Sequence, residues 1–223
     1  MTLVERLIAF AILLQGLESL HLNGWRWEIL CPEIPRALRP FTRSHAALAR
    51  VQVLAGFVSF IFPSLAGTVI MLLATWLLAV RWRGTFNGGS DTLTVHILAA
   101  CIVARIAHGA QVGAILYIAL YITLSYCAAG LFKLRRHEWR EGRALARFLK
   151  RQGSMPLRSW AVIGFECLFP LALIWPASTW PWLAVAVLFH AANVYYFGLN
   201  RFFYVWLAGY PAILAASRIL HPA

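Results

Sequence analysis

Residues 46–80 read AALARVQVLAGFVSFIFPSLAGTVIMLLATWLLAV. Arg50 is the one charged side chain in this run. The run is too long for one ordinary membrane crossing, which takes about 20 residues and at least about 17. Its interruption is Phe62-Pro63-Ser64. Proline has no amide proton and disfavours helix at the residue before it. The stretch therefore predicts two helices in a tight hairpin, 46–62 and 65–81, each just long enough to cross the hydrocarbon.

The whole chain repeats this pattern. It has 223 residues, 61% of them hydrophobic and only 13% charged, with a mean hydropathy of +0.70. A soluble domain carries roughly a quarter charged residues. A chain this poor in polar side chains cannot cover its surface with them, so lipid is the expected solvent. In lipid the backbone must satisfy its own polar groups, which leaves helices or closed barrels. The expected fold is all-α: a polytopic integral membrane bundle of about eight transmembrane helices, forming a single domain over 1–223. The spans fall near 3–21, 46–62, 65–81, 92–108, 112–132, 159–176, 180–199 and 202–218. The first is read as a retained span and not a cleaved signal peptide, since it carries Glu5, Arg6, Gln15, Glu18 and His21.

Charge gives the orientation. The net charge is +12, and nine of the twenty Lys and Arg residues lie between Lys133 and Arg158. The other basic gaps hold Arg26, Arg36, Arg39 and Arg43, then Arg81 and Arg83, then Arg201. The alternate gaps, Pro63-Ser64, 109–111 and 177–179, hold none. The positive-inside rule puts the basic gaps in the cytoplasm and both termini opposite, in what is expected to be a bacterial inner membrane. Basic clusters of this kind flank membrane spans and meet anionic headgroups, so the lipid bilayer is the expected partner and nucleic acid is not. The largest cluster has a pattern of its own. From Trp139 to Lys150, arginines alternate with Ala, Leu and Phe at helical spacing, with Leu145, Phe148 and Leu149 on one side. This predicts an amphipathic interfacial helix over about 136–152, ended by Gly153 and Pro156.

Few side chains here can carry chemistry. Cys31, Cys101, Cys127 and Cys167 form no Cys-x-x-Cys pair and read as small buried hydrophobes. His96 and His108 lack a second ligand at helical spacing, so no metal site is expected. Ionisable groups within spans are costly and mark functional candidates. Arg50 is expected to snorkel to the headgroups. Glu166 sits mid-span, either in a structural ion pair with Arg105 or in a catalytic or ligand role. His190, Asn193 and Asn200 trace one helix face, as interhelical glue or as a site lining. Lys133 closes the fifth span with Tyr126, Ala129 and Gly130 on the same face. Small neighbours let another group approach it, and a partly desolvated lysine can serve as a base. The turn Phe86-Asn87-Gly88-Gly89-Ser90-Asp91 is a further candidate, with Asp91 as N-cap of the fourth span.

These residues also carry a likeness. Ala37-Leu38-Arg39-Pro40, the Phe86–Asp91 turn, Tyr126-Cys127-Ala128-Ala129-Gly130-Leu131-Phe132-Lys133-Leu134 with Trp139 and Gly142, Phe165-Glu166 with Pro170, Phe189-His190, and Gly209-Tyr210-Pro211 follow one another along most of the chain. In this order they resemble the HTTM family (horizontally transferred transmembrane domain), which includes the vitamin K-dependent gamma-carboxylases. The resemblance implies that Lys133 is the base on a reduced quinone of the vitamin K hydroquinone type. The oxygenated quinone then takes a proton from a glutamate side chain, and carbon dioxide adds to the carbanion. His190 and Glu166 would line the same chamber as catalytic residues, and Asn87, Asp91, Tyr126 and Asn193 would contact the cofactor.

Three features depart from the pattern. Gly89 stands where the animal carboxylase has a catalytic histidine. The carboxylases continue into a large extramembrane domain that helps bind the protein substrate, beyond the segment matched here. The charge bias places Lys133 near the cytoplasm, whereas the carboxylase works on the lumenal side. The expected function is a carboxylase-like membrane enzyme acting on a peptide or small substrate. The alternative is a non-catalytic maturation or assembly factor that binds lipid or a partner membrane protein. A transporter is disfavoured, because no pair of broken spans recurs in matching halves.

Overall fold

A computed structural model of the chain describes residues 1–21, 36–42, 44–81, 89–107 and 109–222. Among these residues all regular structure is helical, with no strand. The chain forms two compact units. One comprises 1–118 with 199–212, the other 119–198 with 213–223.

The first unit is built on α1 (Thr2–His21), α3 (His45–Ile61), α4 (Leu65–Arg81) and α5 (Gly89–Ile106), with a short α2 (Arg39–Thr42) before α3. The beginnings of α6 (Gln111–Arg135) and α12 (Asn200–Leu220) also belong to it. The predicted hairpin is present. Phe62 ends α3, its N–H bonded to Val58 O at 2.7 Å, and Ser64 Oγ accepts the Gly67 N–H at 3.1 Å as α4 begins. Ser44 caps α3 by accepting the Ala47 N–H. α3 packs against both α1 and α4, and α4 against α5.

The α1–α3 contact is close because two glycines face it. A Cβ on Gly16 would sit 2.9 Å from Ala49 O, and one on Gly56 2.8 Å from Ala9 O. Small-residue contacts of this kind, together with interhelical hydrogen bonds, are what packs helices where apolar burial gives little drive, as in lipid. Gln52 Nε2 donates to Thr75 Oγ1 at 3.1 Å between α3 and α4, and His45 Nε2 donates to Ser19 O at 3.2 Å between α3 and α1. Ile8, Ile12, Ile97 and Leu98 are fully buried. Outward positions hold Leu54, Phe57, Leu73 and Trp76, large apolar groups that fit a lipid surround. Arg50 is exposed, as a snorkelling side chain requires.

The second unit contains the rest of α6, then α7 (His137–Arg140), α8 (Arg143–Phe148), α9 (Pro156–Leu168), α10 (Leu171–Ile174), a 3-10 turn (Pro176–Ser178), α11 (Thr179–Phe197) and the end of α12. The predicted interfacial helix over 136–152 is two short helices. Gly142, at φ 75°, breaks it between α7 and α8. Its buried side is Ala144 and Ala146, while Phe148 is 60% exposed. The sixth span is also divided. Pro170 cannot donate to the helix ladder, and α9 gives way to α10 around it. The boundary between the last two long helices lies at Gly198, whose left-handed conformation ends α11 and whose N–H bonds Val194 O at 2.8 Å, and not at Asn200-Arg201. Thr179 Oγ1 donates to Ala172 O at 2.7 Å and lies 2.9 Å from Ser217 Oγ.

Among the described residues, three helices are long and apolar enough to cross a membrane: Gly89–Ile106, Gln111–Arg135 and Asn200–Leu220. α3 and α4 are apolar but have 17 residues each. α1 has 20 residues but includes Glu5, Arg6 and Glu18, and α11 has 19 but includes His190 and Asn193.

The glycine contacts give a direct test. Gly56→Leu should destabilise the protein by about 2 kcal/mol through overpacking, lowering the thermal midpoint in detergent. Gly113→Ala, where nothing lies within 4 Å of the new Cβ, should leave it unchanged or raise it.

Candidate functional site

In the second unit, α6 and α9 meet at Gly130. A Cβ there would lie 2.6 Å from Cys167 N and 2.7 Å from Cys167 Sγ, so a larger residue would force the backbones apart. This approach brings Lys133, one turn further along α6, to Glu166 on α9. Lys133 Nζ lies 2.7 Å from Glu166 Oε1 and 2.5 Å from Oε2. The side chains are 16% and 5% exposed. The amine therefore does not snorkel into water. It is held against a carboxylate in a largely apolar setting, where each charge would be costly alone. The amine also lies 5.2 Å from the centroid of the Trp139 ring, within cation–π range.

Two turns back on α6, about 10 Å along the axis, Tyr126 forms the second polar element. Its hydroxyl is 2.6 Å from His190 Nε2 on α11, and His190 is 2% exposed. Aromatic rings surround this bond. Phe169 stacks on Tyr126 at 4.0 Å between centroids, Phe165 stands edge-on at 5.5 Å, and Phe165 in turn contacts Trp182 and Phe189. Phe165 precedes Glu166, so the aromatic cluster and the ion pair are contiguous on α9. A hydrogen-bonded phenol–imidazole pair can relay a proton or orient a hydroxyl. An amine gripped by a carboxylate can exchange a proton with it over a short path.

The predicted site residues divide accordingly. Lys133, Glu166, Tyr126 and His190 lie in this unit as two bonded pairs. Asn193 is half-buried one turn beyond His190 on α11. Asn87 lies outside the described residues. Asp91 differs from its expected role. α5 begins at Gly89, so Asp91 is inside the first turn and not its N-cap, and its carboxylate bonds Arg201 at 2.5 Å, both side chains buried. Arg105, one of the alternatives weighed for Glu166, forms a two-point pair with Glu5, at 2.7 Å for each bond. Glu5 and Arg201, as ion-pair partners, went unrecognised in the sequence. Glu5 stands near a helix start, where an acid is ordinary, and Arg201 was read only as a topology charge. No cluster of three or more His, Cys, Asp or Glu able to hold a metal ion occurs among the described residues.

Removing one member of the Lys133–Glu166 pair strands the other. Lys133→Met and Glu166→Gln should each destabilise the fold by about 3 kcal/mol. The double variant should recover a substantial part of that loss in thermal unfolding, a coupling that a double-mutant cycle reads directly. Strictly additive losses would mean that the two groups do not interact.

Comparisons of the chain with protein-family models, with curated proteins and with solved structures find no match.

Proposed function

We propose that this chain is an integral membrane enzyme of carboxylase-like type in which Lys133 acts as a base. The observation that carries this is the amine itself: it is largely buried, gripped by both oxygens of Glu166, and set beside an aromatic cluster containing the Tyr126–His190 bond. A structural lysine near a span end needs none of these neighbours.

The residues present suit a reduced quinone. An amine–carboxylate couple can accept from and donate to a phenolic hydroxyl, and Phe165 and Trp182, both half-buried, are ring surfaces of the kind on which a flat ring stacks, backed by the stacked Tyr126 and Phe169. When bound, such a group would supply an acidic hydroxyl whose deprotonation opens the way to oxidation. The chain's own part is proton handling and orientation. For Lys133 to act as a base, its ammonium first passes a proton to Glu166 over their short contact, and the freed Nζ is then the proton acceptor. His190 holds the Tyr126 hydroxyl in a fixed direction. The aromatic side chains exclude water.

The alternative, a non-catalytic factor that binds lipid or a partner membrane protein, draws on the same ion pair. A satisfied pair also serves as a rivet between α6 and α9.

In this proposal the apolar helices form a polytopic bundle of about eight crossings in a bacterial inner membrane, with the basic gaps in the cytoplasm. Trp175 and Trp180 are exposed near one end of the α9–α11 stretch, and Trp160, Tyr195 and Tyr196 near the other. That distribution suits aromatic belts at two interfaces. A topology reporter inserted at Gly153 should signal cytoplasmic exposure, and a periplasmic signal overturns the orientation.

For the reaction, the protein co-expressed with candidate peptides under reducing, quinone-replete conditions should add the mass of one carboxyl group to a glutamate. Lys133→Met should abolish the gain while the protein still inserts and folds. No gain with the unaltered protein across a broad peptide set counts against the enzymatic proposal and favours the binding factor.

A further inference from the structure

The segment between α6 and α9 folds back on the start of α9. Gly142 makes this possible. Its backbone is left-handed, and a Cβ on it would lie 2.2 Å from the Met155 carbonyl carbon. Gly142 O accepts the Met155 N–H at 3.3 Å and the Ala146 N–H at 3.0 Å. Further along, Ser159, fully buried on α9, donates through Oγ to the main-chain oxygen of Trp139. Ser154 Oγ donates to Glu141 O. Phe148 packs on the Trp139 ring at 5.7 Å. The ion pairs Arg147–Glu138 and Arg143–Glu141 are exposed and add little. The anchors therefore converge on one residue. The Trp139 main chain is fixed by Ser159, its ring is backed by Phe148, and the face of that ring meets the Lys133 amine at 5.2 Å.

We infer that Trp139 is a positioning residue, and that the folded-back segment 137–155 is a cover which keeps the Lys133 amine against Glu166 and governs its access to reagents. This rests on the reading of Lys133 as the functional amine, and gives that amine a gate. Trp139 acts through Lys133 and touches no reacting atom itself. Its indole supplies a π face that prefers a cation held in place to one reaching into water. Gly142 and Gly153, both with positive φ, make the turns by which the segment folds back.

The sequence provides an internal reference. Lys133 and Lys150 are its two lysines, and Lys150 is exposed. The protein is reconstituted in nanodiscs of phosphatidylcholine and phosphatidylglycerol and treated with a sulfonated succinimidyl ester. Peptide mass spectrometry then gives the labelling of Lys133 relative to Lys150. In the unaltered protein Lys133 should lag by about tenfold or more. Trp139→Ala should raise the ratio about tenfold, and Trp139→Phe, which keeps an aromatic face, should stay within about twofold of the unaltered protein. If Trp139→Ala does not fold, Ser159→Ala removes only the hydroxyl that seats Trp139, and should raise the ratio about threefold. An unchanged ratio in whichever of these variants folds overturns the cover. The readout is independent of turnover. If carboxylation fails while Trp139→Ala exposes Lys133, the base role falls and the cover stands.

Discussion

A charge inside an apolar helix bundle must find an opposite charge, and the described part of this protein satisfies that constraint at each of its most buried acids. Glu5 takes Arg105, Asp91 takes Arg201 and Glu166 takes Lys133. Each pair joins two different helices. In a medium that cannot solvate ions, the cost of separating such a pair far exceeds its value in water. The pairs therefore fix which helix face meets which, in a bundle where packing by apolar surface alone gives little discrimination.

Small residues bring helices close enough for polar contacts between them. Gly16 and Gly56 let α1 and α3 touch through their backbones, and Gly130 does the same for α6 and α9. The second contact is the one that holds the proposed site. With the helices this close, a lysine one turn beyond the glycine reaches a carboxylate on the neighbouring helix with both oxygens. Side-chain amide and hydroxyl bonds such as Gln52–Thr75 and Thr179–Ser217 fasten other contacts in the same manner. A backbone drawn close by glycine and a polar bond just beyond it is thus the local unit of this fold.

The helical class and the hairpin at Pro63 were legible because hydropathy and proline act locally. Lys133 stood out for the same reason: small residues at helical spacing surround it. What remained hidden depended on contacts distant in sequence. Glu166 could be seen as a buried acid needing a partner, but periodicity did not distinguish Lys133 from Arg105. Asp91 looked like a cap because it follows a glycine turn, and only the partner Arg201, 110 residues away, shows why it is buried. The break at Gly142 was missed because the surrounding Arg and Ala pattern keeps helical spacing across it, whereas the glycine's positive φ is set by its contact with Met155. Pro170 was noted in the sixth span but not read as a break, although its missing amide donor acts as locally as that of Pro63 and α9 gives way to α10 around it.

The account depends on a sheltered amine held by a carboxylate. Selective labelling suits this chain, because it contains two lysines. With ¹⁵N-lysine and ¹³C-glutamate in protein reconstituted into bilayers, solid-state NMR dephasing measures the distance from each lysine nitrogen to side-chain carboxylate carbons, and Lys150→Arg assigns the Lys133 signal. A strong short-range contact from Lys133, abolished by Glu166→Gln, is the predicted result. A Lys133 nitrogen with no carboxylate neighbour, exchanging freely with water as Lys150 does, would contradict it.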